Sequence, residues 1–298
     1  MIEHYALRRT RLLLASFLFF TLASVQAQNG GADQSGYAVE PVDFESHGVT
    51  LAGSIVFPPE TIEAAVVFVH GSGKQSRSLP LAERFASDGI AALVYDKRGA
   101  GQSGGEYEGR QSVSEKNIRL LADDAMAALS RLRAHPKLSQ VPLGLTGISQ
   151  AGWIVPLAAE GSLAPDFVVL WSGPVCKVSE EDIFSKYTAD HDGDQVPSYA
   201  EALNSRIRPY VWPDFLGKDT DPTDSLKALN VPGLWIFGQN DGSVPVDLSI
   251  SRLENLIEAG RPYEYVLFSA LGHNNMPESF PTVVSWIKRL PRRDRAGG

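Results

Sequence analysis

Cysteine is almost absent: Cys176 is the only one in 298 residues. No internal disulfide can staple the chain, so its core must hold it together. No neighbouring base is identifiable for Cys176 as a catalytic thiol, and a small buried hydrophobe is its default role. Positive charge is also scarce, with 27 Lys and Arg against 35 Asp and Glu, a net charge of −8. Phosphate backbones are gripped by clustered cations, so a nucleic-acid partner is excluded. No period of about 20 to 50 residues recurs, which excludes a repeat architecture. Long hydrophobic runs are missing beyond the N-terminus, and the run there, residues 12–23, is too short to span a bilayer comfortably.

That run follows Arg8, Arg9 and Arg11 and precedes the small-residue pattern Val25, Gln26, Ala27. Residues 1–27 are therefore predicted to be a secretory signal peptide. Its removal takes away three Arg and one Glu, leaving 24 basic against 34 acidic residues. The mature chain is expected to be exported, periplasmic or secreted, with no stable membrane anchor. Residues 28–36, rich in Gly, Gln and Ser, read as a flexible leader, and residues 291–298 as a flexible tail.

Between these ends, 37–290 reads as one domain. Residues 37–45 and 49–57 alternate apolar with polar around His47 and Gly48, as a half-buried hairpin would. Thereafter short apolar runs at 65–69, 90–95, 142–146, 167–171, 234–237 and 266–268 alternate with helical stretches near 79–87, 114–134 and 149–160. Strands of this kind, separated by helices, form a parallel sheet covered on both faces. With the hairpin at one edge, the predicted fold class is α/β, a mostly parallel sheet of about eight strands. One stretch breaks the rhythm. Residues 175–225 contain two helix-like pieces and a proline-rich patch but no strand-like run, and are predicted to be a helical lid inserted over the strand ends.

The most informative hexapeptide runs from Gly147 through Ser149 to Ala151 and Gly152, where a buried strand meets a helix. A sharp reversal there lifts Ser149 above the sheet edge and needs small residues at 147 and 151. A serine hydroxyl is a weak nucleophile unless a base takes its proton and a third group orients that base. Of six histidines, His4 leaves with the signal, His47 sits in a hairpin turn, His70 ends a strand, His135 ends a helix and His191 lies in the predicted lid. His273 alone follows the last strand on a loop. The orienting acid should end a strand between the two, and Asp241 does, after the apolar run 234–237. Ser172, Gly173 and Pro174 offer no competing acid, and Asp247 is expected on the next helix.

Asp190, Asp192, Asp194 and Glu201 occupy positions 1, 3, 5 and 12 of a calcium-loop pattern. Gln195 stands where the turn wants glycine and Pro197 removes an amide, so we expect a solvated acidic connection, with no metal and no cofactor.

The order Ser149, Asp241, His273, each after a strand, resembles the α/β-hydrolase superfamily over residues 40–290. His70 to Gly73 looks like its oxyanion loop, and Asp96, Arg98, Gly99, Gly101 and Ser103 look like its D-x-R-G-x-G-x-S signature. Within it, Tyr95 to Gly99 and Ser149 to Ile154 look most like bacterial esterases related to the serine-aminopeptidase and acyl-thioesterase branches. The resemblance implies Ser149 as nucleophile, His273 as base, Asp241 as orienting acid, and the backbone amides of Gln150 and Ser72, with Gly73 as the alternative to Ser72, as the oxyanion hole. It implies a carboxylic-ester hydrolase acting on a small-molecule acyl substrate. A serine aminopeptidase or acyl-peptidase, or an acyl thioesterase, would use the same triad, and a non-catalytic binding protein would keep the fold without turnover. Trp153, Trp171 and Trp212 could line an apolar acyl site, although core packing suits the first two better.

Overall fold

The computed structural model describes residues 36–161 and 163–291. The predicted signal peptide, the leader apart from Gly36 and the tail apart from Pro291 lie outside the described residues. Eight strands form one sheet: β1 (Ala38–Ser46), β2 (Val49–Phe57), β3 (Ala64–Val69), β4 (Ile90–Tyr95), β5 (Leu143–Ile148), β6 (Phe167–Trp171), β7 (Gly233–Gly238) and β8 (Tyr263–Phe268). Their spatial order is β1-β2-β4-β3-β5-β6-β7-β8. The β1–β2 and β2–β4 pairs are antiparallel and every other pair is parallel. The hairpin turn is made by His47 and Gly48, both at positive φ (51° and 70°), the backbone twist a two-residue turn needs.

Successive residues of the central strands serve opposite cores, which is why those strands are continuous apolar runs. Ala65, Val67 and Val69 of β3 face a cluster shared with α2 (Glu115–Arg133), α3 (Ala151–Ala159) and α7 (Val246–Glu258). Val66 and Phe68 of the same strand face a second cluster shared with α1 (Leu79–Ser87) and α8 (Met276–Lys288). A strand buried on both sides gains from an apolar side chain at every position. β8, at the sheet edge, does not: Glu264 is exposed and Tyr265 only half-buried. The strand accordingly begins three residues before the apolar run 266–268 that marks it in the sequence.

Residues 175–225, predicted to hold two helix-like pieces, contain α4 (Val178–Thr188) and α5 (Tyr199–Asn204), and a third helix, α6 (Pro222–Ala228), begins at their end and runs beyond it. α6 packs on α3 and buries Leu226 in the main core. α4 ends in two consecutive residues with left-handed backbone, Ala189 and Asp190 (φ 55° and 56°). Among the described residues, no helix is long and apolar enough to cross a membrane.

Candidate active site

Ser149 occupies the single residue step between the end of β5 and Gln150, which caps α3. Its φ of 55° is left-handed, a conformation that costs a non-glycine residue roughly 1–2 kcal/mol and persists only where surroundings fix it. Those surroundings are tight. A Cβ at Gly147 would lie 2.4 Å from the Ala151 methyl and 2.7 Å from Val69 O, and one at Gly71 would lie 3.3 Å from Ile148 O. Ser149 N donates to Trp171 O at 2.9 Å, tying the reversal to β6.

The end of β6 also reaches the histidine loop. Ser172 Oγ donates to His273 O at 2.8 Å, and Asn275 Nδ2 donates to Ser172 Oγ at 2.8 Å. Ser149 and His273 are thus both anchored to the Trp171–Ser172 step. Asp241 ends the turn after β7 with its side chain fully buried, while 16% of the His273 side chain is exposed. His273 Nδ1 donates to the Asp241 carboxylate, at 2.9 Å to Oδ2 and 3.0 Å to Oδ1. Oδ1 also accepts the amides of Ser243 and Val244, each at 2.8 Å. Burial pulls the His273 pKa down. The Asp241 hydrogen bond and the charges of Asp241, Asp192 and Asp190 outweigh it and hold the ring above its ordinary 6.5. No hydrogen bond joins Ser149 Oγ to the ring, and Nε2 has no partner among the described residues. The structure therefore brings Asp241 and His273 into contact and leaves the serine to complete the line.

Four other histidines are engaged elsewhere: His47 with Asp123, His70 with Tyr95 O, His135 with Glu40 and His191 with Thr188 O. Asp247 lies in the first turn of α7, where it accepts the Tyr199 amide at 3.0 Å. Cys176 is buried, which pushes its thiol well above the ordinary value. Trp153 and Trp171 are core residues whose indoles donate to Cys176 O and Ser279 Oγ. Trp212 packs edge-on against Phe215.

The oxyanion candidates lie on two pieces of backbone. Ser72 and Gly73 follow β3, and Gln150 precedes α3; the three amides donate to no acceptor among the described residues. Such free amides beside a helix N-terminus suit a developing negative charge.

Four residues of this neighbourhood have a place beside the candidate site that the sequence did not assign them. Asp192 accepts the His273 amide at 2.8 Å on Oδ2 and the Gly242 amide at 2.9 Å on Oδ1. Gly272 and Gly242 make room for it: a Cβ at Gly272 would meet Asp192 Oδ2 at 2.0 Å, and one at Gly242 would meet His191 O at 2.1 Å. The other acids of the calcium-like pattern are spent separately, Asp194 on the Asn240 amide group and Glu201 on a capping box with Ser198. Glu181 on α4 is pushed up to about 8, first by burial and then by Asp182, Asp190 and Asp241. Ser172 and Lys97 complete the set, each recognisable only from its contacts.

A cavity of about 310 Å³ lies against the Asp241 turn, lined by Phe184, Val196, Pro197, Val246 and Ile250. A wider groove, about 760 Å³, is formed by α4, α5 and residues 205–211 and touches none of the three triad candidates.

The family model described as serine aminopeptidase, S33, matches residues 60–227, more than half of the chain. No curated protein sequence matches it. Among solved structures, an esterase of Pyrococcus furiosus has a TM-score of 0.61 at 18% identity, covering 85% of this chain and 90% of that one. The acylaminoacyl peptidase of Pyrococcus horikoshii has a TM-score of 0.62 at 18% identity, over 88% of this chain and 43% of that one. A dienelactone hydrolase of Anabaena variabilis has a TM-score of 0.54 at 20% identity, over 85% of this chain and 96% of that one. At these identities the likeness is one of fold.

Proposed function

Because the chain belongs to the serine aminopeptidase, S33, family, and is thereby an α/β-hydrolase enzyme, we propose that it cleaves carboxylic esters of small acyl substrates through a covalent acyl-enzyme. The observation that carries this reading is the Asp241 carboxylate held 2.9 Å from His273 Nδ1, with Nε2 left unpartnered at the sheet edge where Ser149 stands in its left-handed turn.

In the proposed reaction His273 Nε2 takes the Ser149 proton as Oγ attacks the acyl carbonyl carbon. The ring becomes imidazolium, and Asp241 stabilises that charge without taking the proton. The tetrahedral oxyanion is received by the amides of Ser72 and Gln150. Collapse expels the alcohol, which leaves with the proton from His273, and water then repeats the sequence to release the acid. Ser149 Oγ must come within hydrogen-bond reach of Nε2 for the first transfer, and a catalytic hydrogen bond that forms only with substrate bound is common in unliganded hydrolases.

A second reading has its own support. The family's description and the acylaminoacyl peptidase fold both suit an amine leaving group, and the same triad would serve it. The proposed lid, 175–225, would then set the choice. Its docking on the triad loops through Asp192 supports that role. The N-terminal arginines and the apolar run after them support export with cleavage after Ala27; N-terminal sequencing of secreted protein tests it.

A fluorophosphonate probe tests the core of the proposal. We expect a covalent adduct on Ser149 that disappears in Ser149→Ala, and no labelling of a folded protein would favour a binding protein instead. Turnover of matched ester, thioester and aminoacyl-anilide panels then separates the leaving-group classes.

A further inference from the structure

Lys97 lies in the loop after β4 and is only 3% exposed. Its Nζ donates to Gly71 O and to Gln150 Oε1, both at 2.8 Å. Gln150 Nε2 continues the chain to Ser112 O at 2.7 Å. The lysine backbone is held to the same loop, since Lys97 N donates to Gln75 O at 3.0 Å and Gln75 Nε2 donates to Ser72 O at 2.5 Å. Among the described residues no carboxylate forms an ion pair with Nζ; the neighbouring Asp96 is paired with Arg77 at 3.2 Å. The other charged or titratable groups around it are His70, at the end of β3, and Tyr107, whose ring centroid is 6.0 Å from Nζ. A buried cation of this kind is expensive unless hydrogen bonds or a developing negative charge compensate it.

The carbonyl that receives the ammonium belongs to the peptide unit whose other end is the Ser72 amide. In a trans peptide the C=O and N–H point in opposite directions, and none of the described peptides is cis. Fixing Gly71 O therefore aims the Ser72 N–H away from Lys97, and a cation on the carbonyl strengthens that N–H as a donor. The second bond pins the side chain of Gln150, the residue that supplies the other amide.

We propose that Lys97 is a positioning residue for the oxyanion hole, orienting and polarising the Ser72 amide and fixing its register against the Gln150 amide. This rests on the serine-hydrolase reading above. It also assigns the second donor to Ser72 in preference to Gly73, because a cation holds the 71–72 carbonyl while the 72–73 carbonyl receives only the neutral Gln75 amide.

Lys97→Met keeps the stem and removes the ammonium. With p-nitrophenyl acetate we expect kcat to fall about 10- to 100-fold, a part of what losing a whole donor costs, while KM stays within about threefold. Inhibition by a trifluoromethyl ketone, whose serine adduct carries the oxyanion, should weaken by the same factor. A folded Lys97→Met with native kcat and native inhibition overturns the proposal. Should that variant fail to fold, the native enzyme decides. Burial pulls the Lys97 ammonium down to about 8, so kcat is expected to fall above that pH. A structural role alone gives the opposite sign: a lysine whose folded pKa is about 8, below its ordinary 10.5, makes the fold more stable as pH rises between those values, since burial penalises only the charged form. A kcat that stays flat across that window overturns the proposal. Absence of native turnover and of Ser149 labelling would instead sink the serine-hydrolase reading itself.

Discussion

Both Asp241 oxygens lie within hydrogen-bond reach of the His273 ring, and Oδ1 has a further task. Oδ1 closes the turn by accepting the Ser243 and Val244 amides at 2.8 Å, and Oδ2 accepts the imidazole at 2.9 Å. Asp241→Asn preserves size but puts an N–H against either those amides or Nδ1, and it removes the influence that raises the His273 pKa most. Burial, which lowers that pKa, is then opposed only by the more distant Asp192 and Asp190 charges. We expect kcat to drop by about ten-thousand-fold, with the acid limb of the residual activity displaced to lower pH, measured as kcat/KM against pH. At this scale Ser149, His273 and Asp241 are legible because position along the chain singles them out: a glycine-flanked strand end, a last loop, a turn after an apolar run. Lys97 and Asp192 are not. One lysine among many becomes notable only when the fold buries it, and Asp192 stands 81 residues from the His273 amide it holds.

Among the elements, the central strands are legible because burial on both faces makes every position apolar. β8 is legible only in part, since its outer half alternates. The 172–232 segment is the least legible. α4, α5 and α6 are 11, 6 and 7 residues long, too short for a helical period to stand out, and α5 and α6 are fixed by side-chain caps at Ser198 and Asp221. Asp192 joins this segment to the loops of β7 and β8. Asp192→Asn keeps one oxygen acceptor but removes a negative charge near the ring. A missing anion disfavours the imidazolium, so the acid limb of kcat/KM is expected to move to lower pH, while Asp192→Ala, which removes both acceptors, should also lower kcat. An unchanged profile in both variants would show that the clip does not influence the triad.

At the scale of the molecule, one buried ion pair links the loop after β4 to α2. Arg98 meets Asp124 at 2.5 Å and 3.1 Å, with 7% and 0% of their side chains exposed. Burial raises the Asp124 pKa even against the Arg98 charge, so desolvation outweighs attraction there. Asp124→Leu leaves Arg98 buried without its carboxylate, with only the Ser46 carbonyl as acceptor, and is expected to lose about 3–5 kcal/mol in urea unfolding. Adding Arg98→Met should recover most of that loss, since an apolar pair of similar volume faces no desolvation. A single variant as stable as the native chain would show that water reaches the site.

The carboxylate of Asp192 holds two loops at once, one through the His273 amide and one through the Gly242 amide. If the stretch around Asp192 swings outward to admit a bulky substrate, the carboxylate must release the His273 and Gly242 amides as it goes. Entry would then slacken the loop that carries His273, while Asp241 keeps its own grip on the ring.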